Sequence, residues 1–101
     1  MSKLTDNQIS VYLRKLPGWK HENQSILKAF SFNDFAESID FVKKVAEAAN
    51  AANHHPDILI RYNKVTITLT THDKNGVTGK DFFLAEQIEK CHNQLLKNLD
   101  R

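Results

Sequence analysis

The segment DILIRYNKVTITLTT, residues 57–71, carries the clearest strand pattern in the chain. From residue 64 to residue 71, apolar side chains alternate with threonines, which is typical of a strand with one buried face. Residues 57–61 predict a second strand, and Tyr62-Asn63 fits the tight turn of a hairpin only loosely. The segment therefore predicts two neighbouring antiparallel strands. Its buried face is formed by Val65, Ile67 and Leu69.

A long helix is predicted before this hairpin, over residues 33–52. Ser31 or Asn33 is expected to cap it, since both side chains can accept a hydrogen bond from the first turn. Pro56 disfavours the helical conformation in the residue before it, so we expect the helix to end by His55. Helical spacing puts the apolar residues on one face. These residues are Phe35, Ile39, Val42, Ala46 and Ala49.

The N-terminal part of the chain predicts one helix and two short strands. Thr5 and Gln8 have the spacing of a capping box, so we expect a helix behind them that ends at Pro17-Gly18. Two strands are predicted around the polar turn that follows, at residues 19–22 and 25–31.

The C-terminal part predicts a loop and a last helix. Asn75-Gly76 is a strong turn signal, and Thr78-x-x-Asp81 is expected to cap a helix that runs to about residue 98. The elements then follow in the order α-β-β-α-β-β-α. We expect an α+β fold, a four-stranded antiparallel sheet with three helices packed on one face, in one domain over residues 1–101. The opposite, threonine-bearing face is available to solvent or to a second subunit.

Composition excludes several classes of protein. The apolar fraction of 41% and the charged fraction of 26% are those of a folded globular chain rather than a disordered one. Charges are spread without a basic stripe, which argues against nucleic-acid binding. Cys91 is the one cysteine, so neither an internal disulfide nor a Cys-rich zinc site can form. No apolar run is long enough to span a membrane, and we expect a cytoplasmic protein.

Histidines mark the candidate chemistry. His54 and His55 follow the long helix, and His72 closes the clearest predicted strand. Ends of elements commonly present functional groups, and imidazole suits proton transfer near neutral pH. His92 follows apolar Cys91 in a predicted helix and is expected to be structural.

Three interpretations of His54-His55 remain open from the residues alone. The pair could end the helix, where imidazolium is favoured by the helix dipole; it could perform acid–base chemistry; or it could bind a metal. Adjacent side chains diverge, and no His-x-x-x-His or Cys-x-x-Cys spacing supports a zinc site. Asp81 is by itself better explained as a capping residue than as a catalytic one.

Taken together, the motifs resemble the pterin-4a-carbinolamine dehydratase family, which also includes the dimerisation cofactor of a homeodomain transcription factor. The resemblance covers nearly the whole chain, including Gly18-Trp19, and the intervals between the motifs match the family signature. The motifs are NHHP at 53–56, YNKV at 62–65, ITLTTH at 67–72 and Asp81, with the aromatic run Phe30-x-Phe32-x-x-Phe35.

The resemblance implies a fold, a reaction and a set of partners. It implies the four-stranded sheet expected above, assembled into homodimers or homotetramers. It implies the dehydration of a 4a-hydroxytetrahydropterin to the quinonoid dihydropterin, which a reductase can recycle to tetrahydrobiopterin-type cofactor. The pterin is then a small-molecule substrate, and no metal or other cofactor is needed.

The resemblance also implies roles for individual residues. His54, His55 and His72 form the catalytic cluster, in which one imidazole protonates the departing hydroxyl and another takes a proton from the ring nitrogen N5. Each such transfer is typically worth about 10²–10⁴-fold in rate. Further residues are implied to shape or contact the substrate site: Pro56 fixes the turn that presents the pair, Thr71 and Asp73 contact the pterin, and Asp81 orients a histidine.

Asn50 is the one departure from the family pattern. Four residues before the first histidine the family usually has an ionisable residue, often Glu. An amide can hydrogen-bond a neighbour but cannot stabilise a protonated imidazole by charge. We therefore expect retained but reduced activity, which Asn50→Glu would test.

Two alternatives remain beside the enzyme. A family member could keep the fold as a non-catalytic dimerisation module, although three imidazoles serve no purpose in a pure scaffold. A pterin-related role in molybdopterin metabolism is the other.

Overall fold

A computed structural model describes residues 2–99 of the chain and confirms the predicted α+β order. Three helices and four strands occur, with a short 3-10 helix between the last strand and the last helix. The elements are α1 (Asp6–Leu13), β1 (Lys20–Glu22), β2 (Ser25–Ser31), α2 (Phe35–Ala52), β3 (Asp57–Arg61), β4 (Lys64–Leu69), the 3-10 helix (His72–Lys74) and α3 (Gly79–Leu99).

The strands form one antiparallel sheet in the order β1-β2-β4-β3. The central pair is β2 and β4, with Ile26 opposite Leu69 at one end and Ser31 opposite Lys64 at the other. As predicted, the apolar residues of β4 are buried, whereas Thr66 on its other face is partly exposed. Helices α2 and α3 pack against each other, and α2 also contacts β4, so the core lies between the sheet and these helices.

The predicted core face of α2 is correct for Ala49, which is buried, and for Val42, which packs against the core, but not for the whole stripe. Phe35 is 51% exposed and Ala46 is also exposed, although both belong to the predicted apolar stripe. The helix instead buries a neighbouring stripe. Its members are Ser38, Phe41, Val45 and Ala49. Helix α2 is apolar around more than one face, so its periodicity is compatible with both stripes.

Several boundaries also differ from the predictions. Asp34, rather than Ser31 or Asn33, caps α2 through a 2.9 Å bond from the Glu37 N–H to its carboxylate. Strand β4 ends at Leu69 rather than at residue 71, so His72 opens the 3-10 helix instead of closing a strand. At the other end of the chain, α1 has the predicted capping box but ends at Leu13, before the proline.

No helix within residues 2–99 has both the length and the apolar character that crossing a bilayer requires.

Candidate active site

One open cavity of about 370 Å³ brings the three candidate histidines together. It lies where the end of α2, the end of β4 and the start of α3 meet. The three histidines that the resemblance groups together therefore lie around one cavity, while their catalytic roles stay a prediction. The lining residues are Asn53, His54, His55, Thr70, Thr71, His72, Asp73 and Lys80. Among the predicted site residues, Pro56 is half-buried outside this lining, and Asp81 lies beneath it.

The end of α2 directs the histidine pair into the cavity. Asn53 adopts a left-handed conformation, with φ of 51°, which asparagine tolerates better than most residues. Its N–H donates to the carbonyl of Asn50 at 3.2 Å, and the N–H of His54 donates to the carbonyl of Ala49 at 3.1 Å. This pair of bonds is a Schellman motif, which closes the helix and turns the chain away. The two histidines thus leave the helix in a fixed direction.

Asp81 holds the imidazole of His54 from beneath the cavity. Oδ1 of Asp81 lies 2.5 Å from Nε2 of His54, and the Asp81 side chain is completely buried. Its Oδ2 accepts two more hydrogen bonds, one from the hydroxyl of Thr71 and one from the backbone N–H of Thr78, both at 2.9 Å. Asp81 is therefore both the predicted capping partner of Thr78 and a ligand of His54. Oδ1 contacts His54, and Oδ2 accepts the N–H of Thr78.

The carboxylate determines which ring nitrogen of His54 is available. A carboxylate has only lone pairs to offer, so Nε2 of His54 donates the proton in this bond. Nδ1 is then the nitrogen left for a second partner. The side chain of His54 is 13% exposed, which gives a ligand in the cavity limited access to the ring.

His55 has a different neighbour. Its Nε2 lies 3.1 Å from Oδ1 of Asn50, one turn back in α2. The amide oxygen can only accept a hydrogen bond, so Nε2 of His55 donates its N–H to it and this nitrogen too is occupied. Asn50 thus orients His55 without supplying a charge.

His72 lies across the cavity, in a loop that the backbone closes on itself. The N–H of Thr71 donates to the carbonyl of Gly76 at 3.0 Å, and Asn75 adopts a left-handed conformation with φ of 55°. Thr71 itself is 4% exposed, and its hydroxyl is directed at Asp81. The loop therefore presents His72 and Asp73 at the cavity while Thr71 faces the buried carboxylate.

Three cavity residues, Asn53, Thr70 and Lys80, were not predicted as site residues from the sequence, and Thr78 was predicted only as a cap. The sequence signal for Thr78 was the Thr78-x-x-Asp81 spacing, because the two residues of a capping box hydrogen-bond to each other. Lys80 falls between these two positions. It adds the one side chain of the lining that carries a fixed positive charge.

The two shifted pKa values belong to residues outside the cavity. Burial lowers the pKa of His92, whose ring packs edge-on against Phe30, Phe32 and Phe41 with centroids 4.9, 5.7 and 5.8 Å away. This confirms His92 as a structural residue. Burial likewise raises the pKa of the Cys91 thiol. In the part of the chain that the structure describes, His, Cys, Asp and Glu side chains form no group of three able to hold a metal ion.

Comparison with known proteins gives consistent matches. The sequence profile of the family described as "Pterin 4 alpha carbinolamine dehydratase" matches residues 2–91. A protein of Picosynechococcus sp. is 52% identical over 89 residues, which are 88% of this chain and 97% of that protein. One of Sulfolobus acidocaldarius is 44% identical over 88 residues, 87% of this chain and 97% of the relative. Both carry the name "Putative pterin-4-alpha-carbinolamine dehydratase".

Solved structures agree with this match. A crystal structure from Brucella melitensis, described as a transcriptional coactivator/pterin dehydratase, has a TM-score of 0.86 and 34% identity over 89% of this chain and 98% of its own. A pterin dehydratase-like RuBisCO assembly factor of the alpha-carboxysome has a TM-score of 0.60 and 19% identity, over 72% and 84% of the two chains. This second likeness shows the fold alone. With the family profile covering most of its length, the chain belongs to the pterin 4 alpha carbinolamine dehydratase family.

Proposed function

We propose that this protein dehydrates 4a-hydroxytetrahydropterin to quinonoid dihydropterin and water by histidine acid–base catalysis. The observation that carries the proposal is the convergence of His54, His55 and His72 on one cavity. A buried carboxylate holds one of the three imidazoles, as expected where an imidazolium has to form during turnover. Membership of the dehydratase family supports the same reaction.

The reaction needs two proton transfers and no change of oxidation state. A proton reaches the hydroxyl on C4a, the C4a–O bond breaks and water leaves. The proton on N5 is removed, and its electron pair forms the double bond between N5 and C4a. An imidazole can perform either transfer near neutral pH, which is why a cluster of histidines suits this chemistry.

The contacts suggest how the roles are divided. His54 has Nδ1 free and Asp81 at its other nitrogen, so the negative charge of Asp81 stabilises the ring once it has accepted a proton. His54 is therefore the proposed base for N5. His55 and His72, on the more open side of the cavity, are the proposed donors to the departing hydroxyl. Asp73 and Lys80 offer the remaining charged contacts to the pterin.

The setting of the reaction is part of the proposal. We place the protein in the cytoplasm, where the free thiol of Cys91 persists in reduced form. Its substrate is a tetrahydrobiopterin-type carbinolamine, and its working form is a homodimer or homotetramer. The apolar side chain of Phe35, which is 51% exposed at the start of α2, supports such an assembly.

A direct assay tests the activity. Purified protein treated with chelator is mixed with freshly generated 4a-hydroxytetrahydropterin, and dehydration is followed by absorbance. We expect a rate above that of buffer and unaffected by chelation. A rate equal to that of buffer would contradict the proposed dehydratase activity and favour a non-catalytic module. A rate lost on chelation and regained with zinc would favour a metal site.

Single substitutions test the three histidines. His54→Ala, His55→Ala and His72→Ala should each lower kcat by about 10²-fold or more, because each removes a proton-transfer group. His21→Ala is the matched control, since His21 lies on β1 outside the cavity lining. Circular dichroism would establish that each variant is folded. Full activity in a folded His72→Ala protein would remove His72 from the site.

A further inference from the structure

Beneath His54 lies a pair of buried threonines whose hydroxyl oxygens are 2.8 Å apart. Thr71 is 4% exposed and Thr78 is completely buried. Residues this polar are seldom buried without a complete set of hydrogen bonds. Among the described residues, no buried side-chain nitrogen or oxygen lacks a partner. The bonds around these two hydroxyls can therefore be followed atom by atom.

Counting hydrogens fixes the direction of each bond. The single hydroxyl hydrogen of Thr71 is donated to Oδ2 of Asp81 at 2.9 Å. Because Thr71 has no second hydrogen, the bond between the hydroxyls has to be donated by Thr78 and accepted by Thr71. The hydroxyl of Thr78 in turn accepts the backbone N–H of Lys80 at 3.2 Å. The chain of donors thus runs from α3 through Thr78 and Thr71 to the carboxylate.

This chain determines how Asp81 meets His54. Oδ2 receives the hydroxyl of Thr71 and the backbone N–H of Thr78, which leaves Oδ1 directed at Nε2 of His54. An acceptor held in that place keeps the proton on Nε2 and the lone pair on Nδ1. If Thr71 lost this donor, its own bond to Oδ2 would no longer be polarised by the Thr78 hydroxyl and would hold the carboxylate less firmly. Asp81 could then rotate, and the bias on the His54 tautomer would weaken.

We propose that Thr78 is a positioning residue whose side-chain hydroxyl, acting through Thr71 and Asp81, sets the tautomer of His54. Its effect on turnover rests on the proposed dehydratase function. Its effect on the ring nitrogens of His54 does not, since that effect exists in the free protein.

The competing interpretation is that Thr78 only starts α3. The same hydroxyl accepts the N–H of Lys80, and a lost N-cap would lower stability without changing a tautomer. Thr5 offers a matched comparison, because its hydroxyl accepts the N–H of Gln8 at 3.2 Å and starts α1 without any contact to the candidate site. Thr5→Val therefore removes a cap of the same type from a helix that does not hold His54.

The experiment measures the ring nitrogens of His54 by ¹⁵N NMR at a pH where the ring is neutral. We expect the Nε2–H tautomer in the wild-type protein, in Thr5→Val and in Thr78→Ser, which restores the hydroxyl. Thr78→Val should show a mixture of tautomers. If Thr78→Val does not fold, Thr78→Gly is measured instead, because glycine is tolerated at an N-cap and lacks the hydroxyl. Unchanged His54 nitrogens in the hydroxyl-less variant would overturn the proposal.

Turnover provides the second measurement. In Thr78→Val, kcat should fall about 10-fold with KM unchanged, as is typical when the group that orients a functional imidazole is lost. Thr78→Ser should recover most of that loss, and Thr5→Val should keep the wild-type kcat. A wild-type protein without dehydratase activity would refute the proposed function, while the ring nitrogens would still decide the role of Thr78.

Discussion

The ring of His55 meets an amide at the position where the family resemblance leads us to expect an ionisable residue. The contact between Nε2 and Oδ1 of Asn50, at 3.1 Å, shows that the amide still orients the imidazole. What it does not supply is a negative charge beside the ring. A carboxylate at this distance would favour the protonated form of His55, which is the form able to donate a proton to the departing hydroxyl.

Asn50→Asp adds that charge with almost no change of shape. We expect the part of the pH–rate profile that depends on proton donation to extend to higher pH, because the added carboxylate favours a protonated imidazole. The kinetic assay described above, repeated across pH values, would measure this. Asn50→Ala separates charge from orientation, since it removes the hydrogen bond without adding a carboxylate. An identical profile in Asn50→Asp and wild type would show that the charge at this position is irrelevant.

Asp81 shows how far single residues could be interpreted from the sequence. Its spacing from Thr78 predicted a cap, and the family resemblance implied that it orients a histidine. The structure supports both contacts, because the two oxygens of one carboxylate point in different directions. Spacing along the chain could not show this, since β3, β4 and the 3-10 helix separate His54 from Asp81.

Among the elements, the two hairpin turns differ in how well their residues suit the backbone. Asn23 between β1 and β2 has φ of 55°, and Tyr62 between β3 and β4 has φ of 53°. Asparagine tolerates this left-handed region, whereas a bulky side chain is disfavoured there by contact of its Cβ with the backbone. The tyrosine is also 65% exposed, so little packing offsets the cost.

Tyr62→Asn should therefore raise the free energy of unfolding by about 1 kcal/mol. The reverse change at the other hairpin, Asn23→Tyr, should lower it by about the same amount, because the backbone there has nearly the same φ. Urea unfolding followed by circular dichroism would measure both. Equal stabilities of Tyr62→Asn and wild type would mean that contacts of the tyrosine offset the strain.

The ends of the elements were predicted less well than the elements themselves, and pairing explains why. Alternation in the sequence continues through Thr70, but the partner strand begins near Ile26, which already faces Leu69. Thr70 is not paired, although Ser25 still belongs to β2, and the Thr70 hydroxyl donates to the carbonyl of Gln24 instead. In the same way, Ser31 could not cap α2, because it is the last paired residue of β2.

At the scale of the whole molecule, the core uses only part of the apolar stripe predicted for α2, since Ala49 is buried and Val42 packs against the core. The stripe members Phe35 and Ala46 are exposed, and apolar side chains in such a row are commonly covered by another surface. Periodicity alone could not tell which stripe faces the sheet, because both have helical spacing. The proposed homo-oligomer gives the exposed part of this stripe an occupant, a second copy of the chain.

Light scattering after size exclusion should accordingly give the mass of a dimer or tetramer. Ala46→Glu places a charge on the stripe and should lower that mass. Ala36→Glu is the control, since residue 36 is exposed on α2 but lies away from the stripe. A monomeric wild-type protein would contradict the assembly, and an unchanged mass in Ala46→Glu would move the interface to another surface.

The stability of the whole fold should depend on pH through His92. Burial lowers the pKa of this histidine from its usual 6.5, while Glu89 opposes the shift and Lys28 adds to it. The unfolded chain therefore binds a proton more readily than the folded one. The free energy of unfolding should fall as the pH drops below 6.5 and level off below the pKa of the folded state.

His92→Phe should remove this part of the pH dependence, since phenylalanine extends the ring cluster without a titrating group. Urea unfolding of both proteins at about pH 7.5 and about pH 5.5 would measure it, since these values lie roughly one unit above and below the usual pKa of histidine. The loss of stability on acidification should be smaller in the variant. An equal loss in both proteins would show that His92 does not contribute.

The carboxylate of Asp81 bonds both His54 and the backbone at the start of α3, and this double contact matters when related proteins are compared. A descendant that abandoned catalysis but kept this architecture would still need a side chain to begin its last helix, and Asp81 meets that need. Retention of this aspartate in a diverged protein would then report only on architecture. The informative losses would be those of His55 and His72, because His54 also serves the fold as the partner of the buried Asp81 carboxylate.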